Sequence, residues 1–184
     1  MTANADTHID TDADADANLD PYEGVKTFDS TACDVYEANG LYIVLHTPER
    51  FKGAYLWGLL IATSEHSGFF MTQYLIEDKW CFSGRMVAME DVEGLVVAMR
   101  VGRFDGVDEK WIAAIKKCVG SARPKGDFTD RSWTLQAIYD LADSGFIDLF
   151  PKWPEVFKIE GKILAVAGER RSGPARYILN YEPS

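Results

Sequence analysis

The sequence predicts an α+β fold, in which an antiparallel sheet of about five strands (residues ~40–102) carries two helices (~107–119 and ~131–143) packed on it. Two observations predict it. Before residue 102, short β-branched and aromatic runs are punctuated by turn residues. After residue 107 the apolar residues recur at helical spacing instead, so strands come first and helices then pack on one face.

Each element has a local reason. Gly40-Leu41-Tyr42-Ile43-Val44-Leu45-His46 is β-branched and aromatic, and is bounded by Gly40 and Pro48. The run from Ala54 to Ala62 is apolar on both faces, which suits a central strand. Thr63–Gly68 reads as a turn leading into a hairpin partner, Phe69–Ile76. Trp80–Met89 and Leu95–Val101 supply two more strands, and the all-apolar Leu95–Met99 predicts cover on both sides. The period then changes. Trp111, Ile112, Ile115 and Val119 share one helical face, with Asp108 and Glu109 at its start and Gly120 as a stop. Ser121–Gly126 is a Pro/Gly loop, and Arg131–Asp143 is a second helix with Leu135, Ile138, Tyr139 and Ala142 on one face, ending near Gly145. Glu155–Arg171 reads either as an amphipathic helix interrupted by Gly161 and Gly168, or as a hairpin. No internal repeat is present.

Length and charge bound the organisation. A chain of 184 residues is one domain with room for a tail. Residues 1–20 hold Asp6, Asp10, Asp12, Asp14, Asp16 and Asp20, with no Lys or Arg and almost no large apolar residue. Such a segment cannot offset its ordering entropy, so 1–20 is expected to be a disordered acidic tail and 21–184 a single globular domain. Removing those six charges from the net −10 leaves −4. That is no basic footprint, which argues against nucleic acid and anionic membranes as partners. The start of the chain lacks a basic, apolar leader, and the longest apolar runs fall far short of ~20 residues, so the expected location is cytoplasmic.

Most familiar chemistries lack their residues. Cys33, Cys81 and Cys118 are far apart and odd in number, which suits neither a disulfide framework nor zinc. His8, His46 and His66 share no i, i+4 spacing, so neither a metal nor another cofactor is expected. There is no phosphate-binding glycine pattern and no GxSxG elbow. Cys118 falls at a helix C-terminus, where the dipole disfavours a thiolate, and the three cysteines read as buried structural thiols.

What remains is the start of the second helix, Phe128-Thr129-Asp130-Arg131-Ser132-Trp133-Thr134. Together with Tyr55-Leu56-Trp57-Gly58-Leu59-Leu60-Ile61 and Gly68-Phe69-Phe70-Met71, it resembles fungal proteins of unknown function related to the permuted NlpC-type papain-like fold. That group has a His–Trp strand, a Gly-x-x-His strand and a Cys-x-x-Trp helix start. The resemblance spans about residues 41–147 and rests on Trp57, Gly68, Trp133 and apolar patterning. It implies a papain-like, NlpC-like sheet-and-helix scaffold. Leu56 and Met71 stand where the family has His, and Asp130 stands where it has the thiol, so no hydrolytic residue carries over.

Asp130 then has two readings. It is a good N-cap, as is Thr129 one residue earlier. Alternatively its carboxylate faces a retained pocket as a general base, although a helix N-terminus favours the anion and weakens the base. Around such a pocket the candidate substrate-binding residues are Tyr55, Trp57, Met71, Gln73, Trp80, Arg131 and Trp133. Strand alternation turns Gln73 and Tyr74 to opposite faces, and Arg131 is either a clamp for a substrate carboxylate or a solvated residue of the first turn. The functional expectation is a non-hydrolytic enzyme acting on an apolar small molecule, of isomerase or cyclase type in fungal specialised metabolism. The alternative is an inactive pseudoenzyme that binds or interacts.

Overall fold

The computed structural model describes residues 35–47, 54–169 and 177–181. The acidic segment 1–20 expected to be disordered, with His8 and Cys33, lies outside the described residues. In chain order come β1 (Gly40–His46), β2 (Leu56–Ala62), β3 (Ser67–Ile76), β4 (Lys79–Ala88) and β5 (Leu95–Arg103). They are followed by α1 (Glu109–Ser121), α2 (Asp130–Asp143), α3 (Trp153–Glu169) and β6 (Tyr177–Asn180). A short 3₁₀ turn, Met89–Asp91, links β4 to β5.

The α+β class holds, with three corrections. The sheet has six strands and not five, in the order β4-β3-β2-β1-β5-β6. Nor is it purely antiparallel: β1 to β5 pair antiparallel, while β6 lies parallel to β5 with Val97 opposite Tyr177. The parallel pairing is possible because three helices separate β5 from β6 and supply the long crossover it needs. Four residues, Tyr177–Asn180, carry too little alternation to be read as a strand from sequence. Among the described residues there are also three helices, not two. Of the two readings left open for Glu155–Arg171, the helix is the one adopted, because Val156, Ile159, Ile163 and Ala167 form a buried stripe. Burying the larger of these side chains contributes roughly 1.5–3 kcal/mol each, which outweighs the ~1 kcal/mol that a helical glycine costs; Gly161 and Gly168 both face solvent.

The central strands of the sheet are covered on both faces, as the apolar runs of β2 and β5 predicted. Leu41, Ile43, Leu59, Ile61, Met71 and Met99 meet the helices through Ile115, Ile138, Leu141, Ile159 and Ile163. On the opposite face Tyr42, Val44, Leu60, Phe70 and Ala98 cluster with Tyr36, Met89 and Val92. The helix ends follow local chemistry. Asp108 caps α1 by accepting from the Trp111 N–H at 2.8 Å. After α2, Gly145 takes φ +72°, its N–H reaches the Ala142 carbonyl (3.0 Å), and the Phe146 N–H reaches that of Leu141 (2.9 Å). That left-handed stop is the one Gly145 predicted.

Candidate functional site

The start of α2 is built from its cap outward. Thr129, not Asp130, is the N-cap: its hydroxyl accepts from the Ser132 N–H while the Ser132 hydroxyl accepts from the Thr129 N–H, a reciprocal capping box. The cap reading of Asp130 is thereby corrected by one residue. The Ser132 hydroxyl, which the sequence left unassigned, closes the box. Asp130 is left to do something else. Its Oδ2 accepts from the backbone N–H of Trp57 at 2.8 Å, and its Oδ1 accepts from the Arg131 N–H at 2.9 Å. The reason lies in the sheet. Pairing of β2 with β3 begins at Gly58 opposite Thr72, so Trp57 stands just outside that ladder. Two side chains complete it: Asp130 takes the N–H, and the Thr72 hydroxyl donates to the Trp57 carbonyl at 3.2 Å.

Electrostatics at Asp130 pull in opposite directions. Burial raises its carboxyl above the usual Asp range, and this prevails over the N–H donors of Trp57, Arg131 and Asp130 itself, and over the charge of His46.

The remaining predicted site residues do not converge on a pocket at Asp130. Tyr55 donates its hydroxyl to the Ala167 carbonyl at 2.9 Å, tying the entry of β2 to the end of α3. Trp57, Met71 and Trp133 are buried in the core beneath the helices. The Trp133 indole N–H donates to the Val119 carbonyl at 3.1 Å, and its ring lies 6.0 Å from that of Phe82. Trp80 packs on Phe128 at 5.3 Å. Gln73 is buried, and Arg131 pairs with the buried Glu160 of α3. The carboxylate clamp proposed for Arg131 is therefore already occupied from within the fold. Trp57 and Asp130 do come together, through backbone rather than through an open site.

A cavity of about 130 Å³ lies instead on the sheet face away from the helices, lined by His46, Leu56, Phe70, Tyr74, Arg85, Val87, Asp91, Val92 and Glu93. Its floor depends on a glycine. A Cβ on Gly58 would come within 2.6 Å of the Phe70 ring, so only glycine lets that ring lie across β2. Phe70 in turn meets the His46 ring edge-on at 5.7 Å. His46 is 6% exposed, and its Nδ1 lies 3.3 Å from the Glu93 carbonyl. A carbonyl only accepts, so this contact places the proton of a neutral ring on Nδ1. The β1–β5 register slips beside it, from Leu45 opposite Val97 to His46 opposite Leu95. Such a bulge re-aims the residues around it. Sequence reasoning placed Tyr74 only on the face opposite Gln73, without choosing which turns outward, and passed over Arg85 and Asp91. The available signal was register: alternation puts His46, Phe70, Tyr74 and Arg85 on one face once the strand order is known.

Two thiols are described. Cys118 is half-buried, and burial pushes its thiol up, against a hydrogen bond with Ser144 and together with the charge of Asp140. Cys81 is exposed, which corrects the expectation that all three cysteines are buried: it lies on β4, the outermost strand, where the side away from the helices meets solvent. Among the described residues no group of three or more His, Cys, Asp or Glu side chains is placed to hold a metal ion. No helix among them is long and apolar enough to cross a membrane.

Fold and site together define an α+β protein with a mixed six-stranded sheet, a half-buried carboxylate at a strand–helix junction and a small polar-rimmed cavity on the opposite face. Comparison with known protein families, with curated proteins and with solved structures finds no match in any of the three.

Proposed function

We propose that this chain is a cytoplasmic, non-catalytic small-molecule-binding protein on a degenerate scaffold of the papain-like, NlpC type. The observation that carries the reading is the condition of Asp130, at the position where the resembling family has its thiol. Both carboxylate oxygens accept from backbone N–H groups. A general base must present a free lone pair to the proton it removes. Here the N–H groups of Trp57, Arg131 and Asp130 itself take most of the roughly four acceptor sites of the carboxylate, committing it to joining α2 to β2. The companion residues support the same reading: Arg131 is held by Glu160, and Trp57 and Trp133 fill the core.

A specific observation favours a second reading, an isomerase or cyclase of fungal specialised metabolism acting on an apolar small molecule with Asp130 as base. A carboxyl that burial holds above its usual range is a stronger base than an ordinary aspartate, even against the charge of His46, which works the other way.

One experiment separates them. The purified protein is incubated with a metabolite extract, unbound material is removed, and the retained compound is compared with the input by chromatography and NMR. Binding without turnover returns the compound in its original isomeric form, and Asp130→Asn retains it equally. A compound rearranged by the native protein but not by Asp130→Asn establishes the enzyme instead.

A further inference from the structure

The geometry points to the ligand class of the cavity behind the sheet: a small α-amino acid bound as its zwitterion, carboxylate on Arg85 and ammonium on Asp91. This inference rests on the reading of the chain as a small-molecule binder and gives that reading a place and a chemistry. Arg85 and Asp91 both line the cavity and both are exposed at its rim. Neither forms an ion pair with the other or with any described residue; the ion pairs of the fold lie elsewhere, at Glu37, Glu155 and Glu160. A third charge, Glu93, also lines the cavity, so one cation faces two carboxylates there. Arg85 and Asp91, opposite charges that do not neutralise each other, suit a ligand carrying both signs at short separation, its ammonium toward the carboxylates and its carboxylate toward Arg85. Guanidinium is the side chain best shaped for a carboxylate, which it grips through two N–H donors.

Beneath the rim Leu56, Phe70, Val87 and Val92 supply the apolar part of a lining that is otherwise polar. Phe70, Val87 and Val92 are buried there, and His46 is held against the Glu93 carbonyl at its edge. A volume of about 130 Å³ is close to that of an engineered apolar cavity of ~150 Å³ that holds benzene. The cavity therefore takes a branched or aromatic side chain, with the charged ends of the amino acid left at the mouth. A plain monocarboxylate would leave Asp91 beside an anion, and a plain amine would leave Arg85 beside a cation. Both should bind less well, since discrimination comes from charges left unpaired as much as from contacts made.

The test is calorimetric titration of the full chain with valine, leucine and phenylalanine. Isovalerate and 3-phenylpropionate serve as analogues without the ammonium, isobutylamine and phenethylamine as analogues without the carboxylate. The expected result is that an amino acid binds at least tenfold tighter than either truncated analogue. Arg85→Gln and Asp91→Asn, whose thermal melts should match the native protein because both positions are exposed, should each weaken it about tenfold. Lys117→Gln, an exposed change on α1, should leave it unaltered. Equal binding of zwitterion and truncated analogues overturns the inference, as does unchanged affinity in both variants or no binding of any amino acid at millimolar concentration. If the amino acids fail but another compound is captured unchanged from the extract, the assigned ligand class falls and the binding reading stands. If an amino acid binds as expected but is released racemised, the site stands and the non-catalytic reading falls.

Discussion

At Asp130 a carboxylate leaves water and receives N–H donors in exchange, and the exchange does not fully compensate: burial holds the carboxyl above the usual range. Asp130→Ala removes the partner of the Trp57 N–H, and a buried donor left without a partner costs about 1–3 kcal/mol. Asp130→Asn keeps an acceptor for Trp57 and discards the desolvated charge, so its loss should be less than half as large. The pH dependence carries its own sign. A folded-state pKa above the unfolded value means that the folded protein binds this proton more tightly, so ionised Asp130 detracts from stability at neutral pH. The native protein should therefore gain on the Asn variant as pH falls from 7 through the folded pKa of Asp130. Urea denaturation of all three proteins at pH 7 and pH 5 measures this. An Ala variant as stable as the native protein would show that the Trp57 contact contributes nothing.

Among the elements, legibility tracked length and period. β1, β2 and β5 were readable because apolar residues on both strand faces leave little else they can be, and α1 and α2 because start signals agreed with the periodicity, although α1 runs through the expected stop at Gly120 to end at Ser121. β6 was not, since four residues after a helix give no period to read. α3 sat between two readings because Gly161 and Gly168 weaken the local helix preference, and only the partner surface for its buried stripe decides the matter. At the site, Asp130 and Trp57 were legible as a place, but the bond between a side chain and a strand N–H is a tertiary fact. The cavity residues stayed hidden because they come from β1, β2, β3, β4 and the turn after β4, and no sequence window contains them together. α3 offers a direct check. Gly161 is exposed in the helix interior, and a Cβ there meets nothing within 4 Å. Gly161→Ala should therefore stabilise the protein by about 0.5–1 kcal/mol, through helix propensity and a less disordered unfolded chain. Thermal and urea denaturation report it, and a decrease in stability would mean that α3 is not helical at that point.

At the scale of the whole molecule, the chain closes on itself where β6 returns to the sheet after three helices. The Tyr181 N–H reaches the Arg100 carbonyl at 2.8 Å, and the Tyr181 hydroxyl donates to Glu155 near the start of α3. The two groups shift one another. The Tyr181 hydroxyl, followed by Lys158 and Lys162, holds the Glu155 carboxyl below its usual range. Burial, and then donation to Glu155, pushes the Tyr181 phenol above the usual tyrosine range. Their signs bound a window. A depressed Glu155 contributes stability that is present above the ordinary glutamate pKa of ~4.3 and is lost as pH falls through its folded value. A raised Tyr181 contributes stability that is complete below ~10 and is lost as pH rises through its folded value. Between those limits the clasp is intact and insensitive to pH. Tyr181→Phe keeps the ring and removes the hydroxyl, so the stability difference from the native protein should be flat from about pH 5.5 to 9. It should shrink on the acid side as Glu155 protonates and on the alkaline side as the phenol ionises in the unfolded chain. Urea midpoints collected for both proteins from pH 3 to pH 10.5 trace the profile. A difference that stays constant down to pH 3 would show that the hydroxyl packs beside Glu155 without bonding to it, and that β6 is held by its ladder and by the packing of Ile178, Leu179 and the Tyr181 ring.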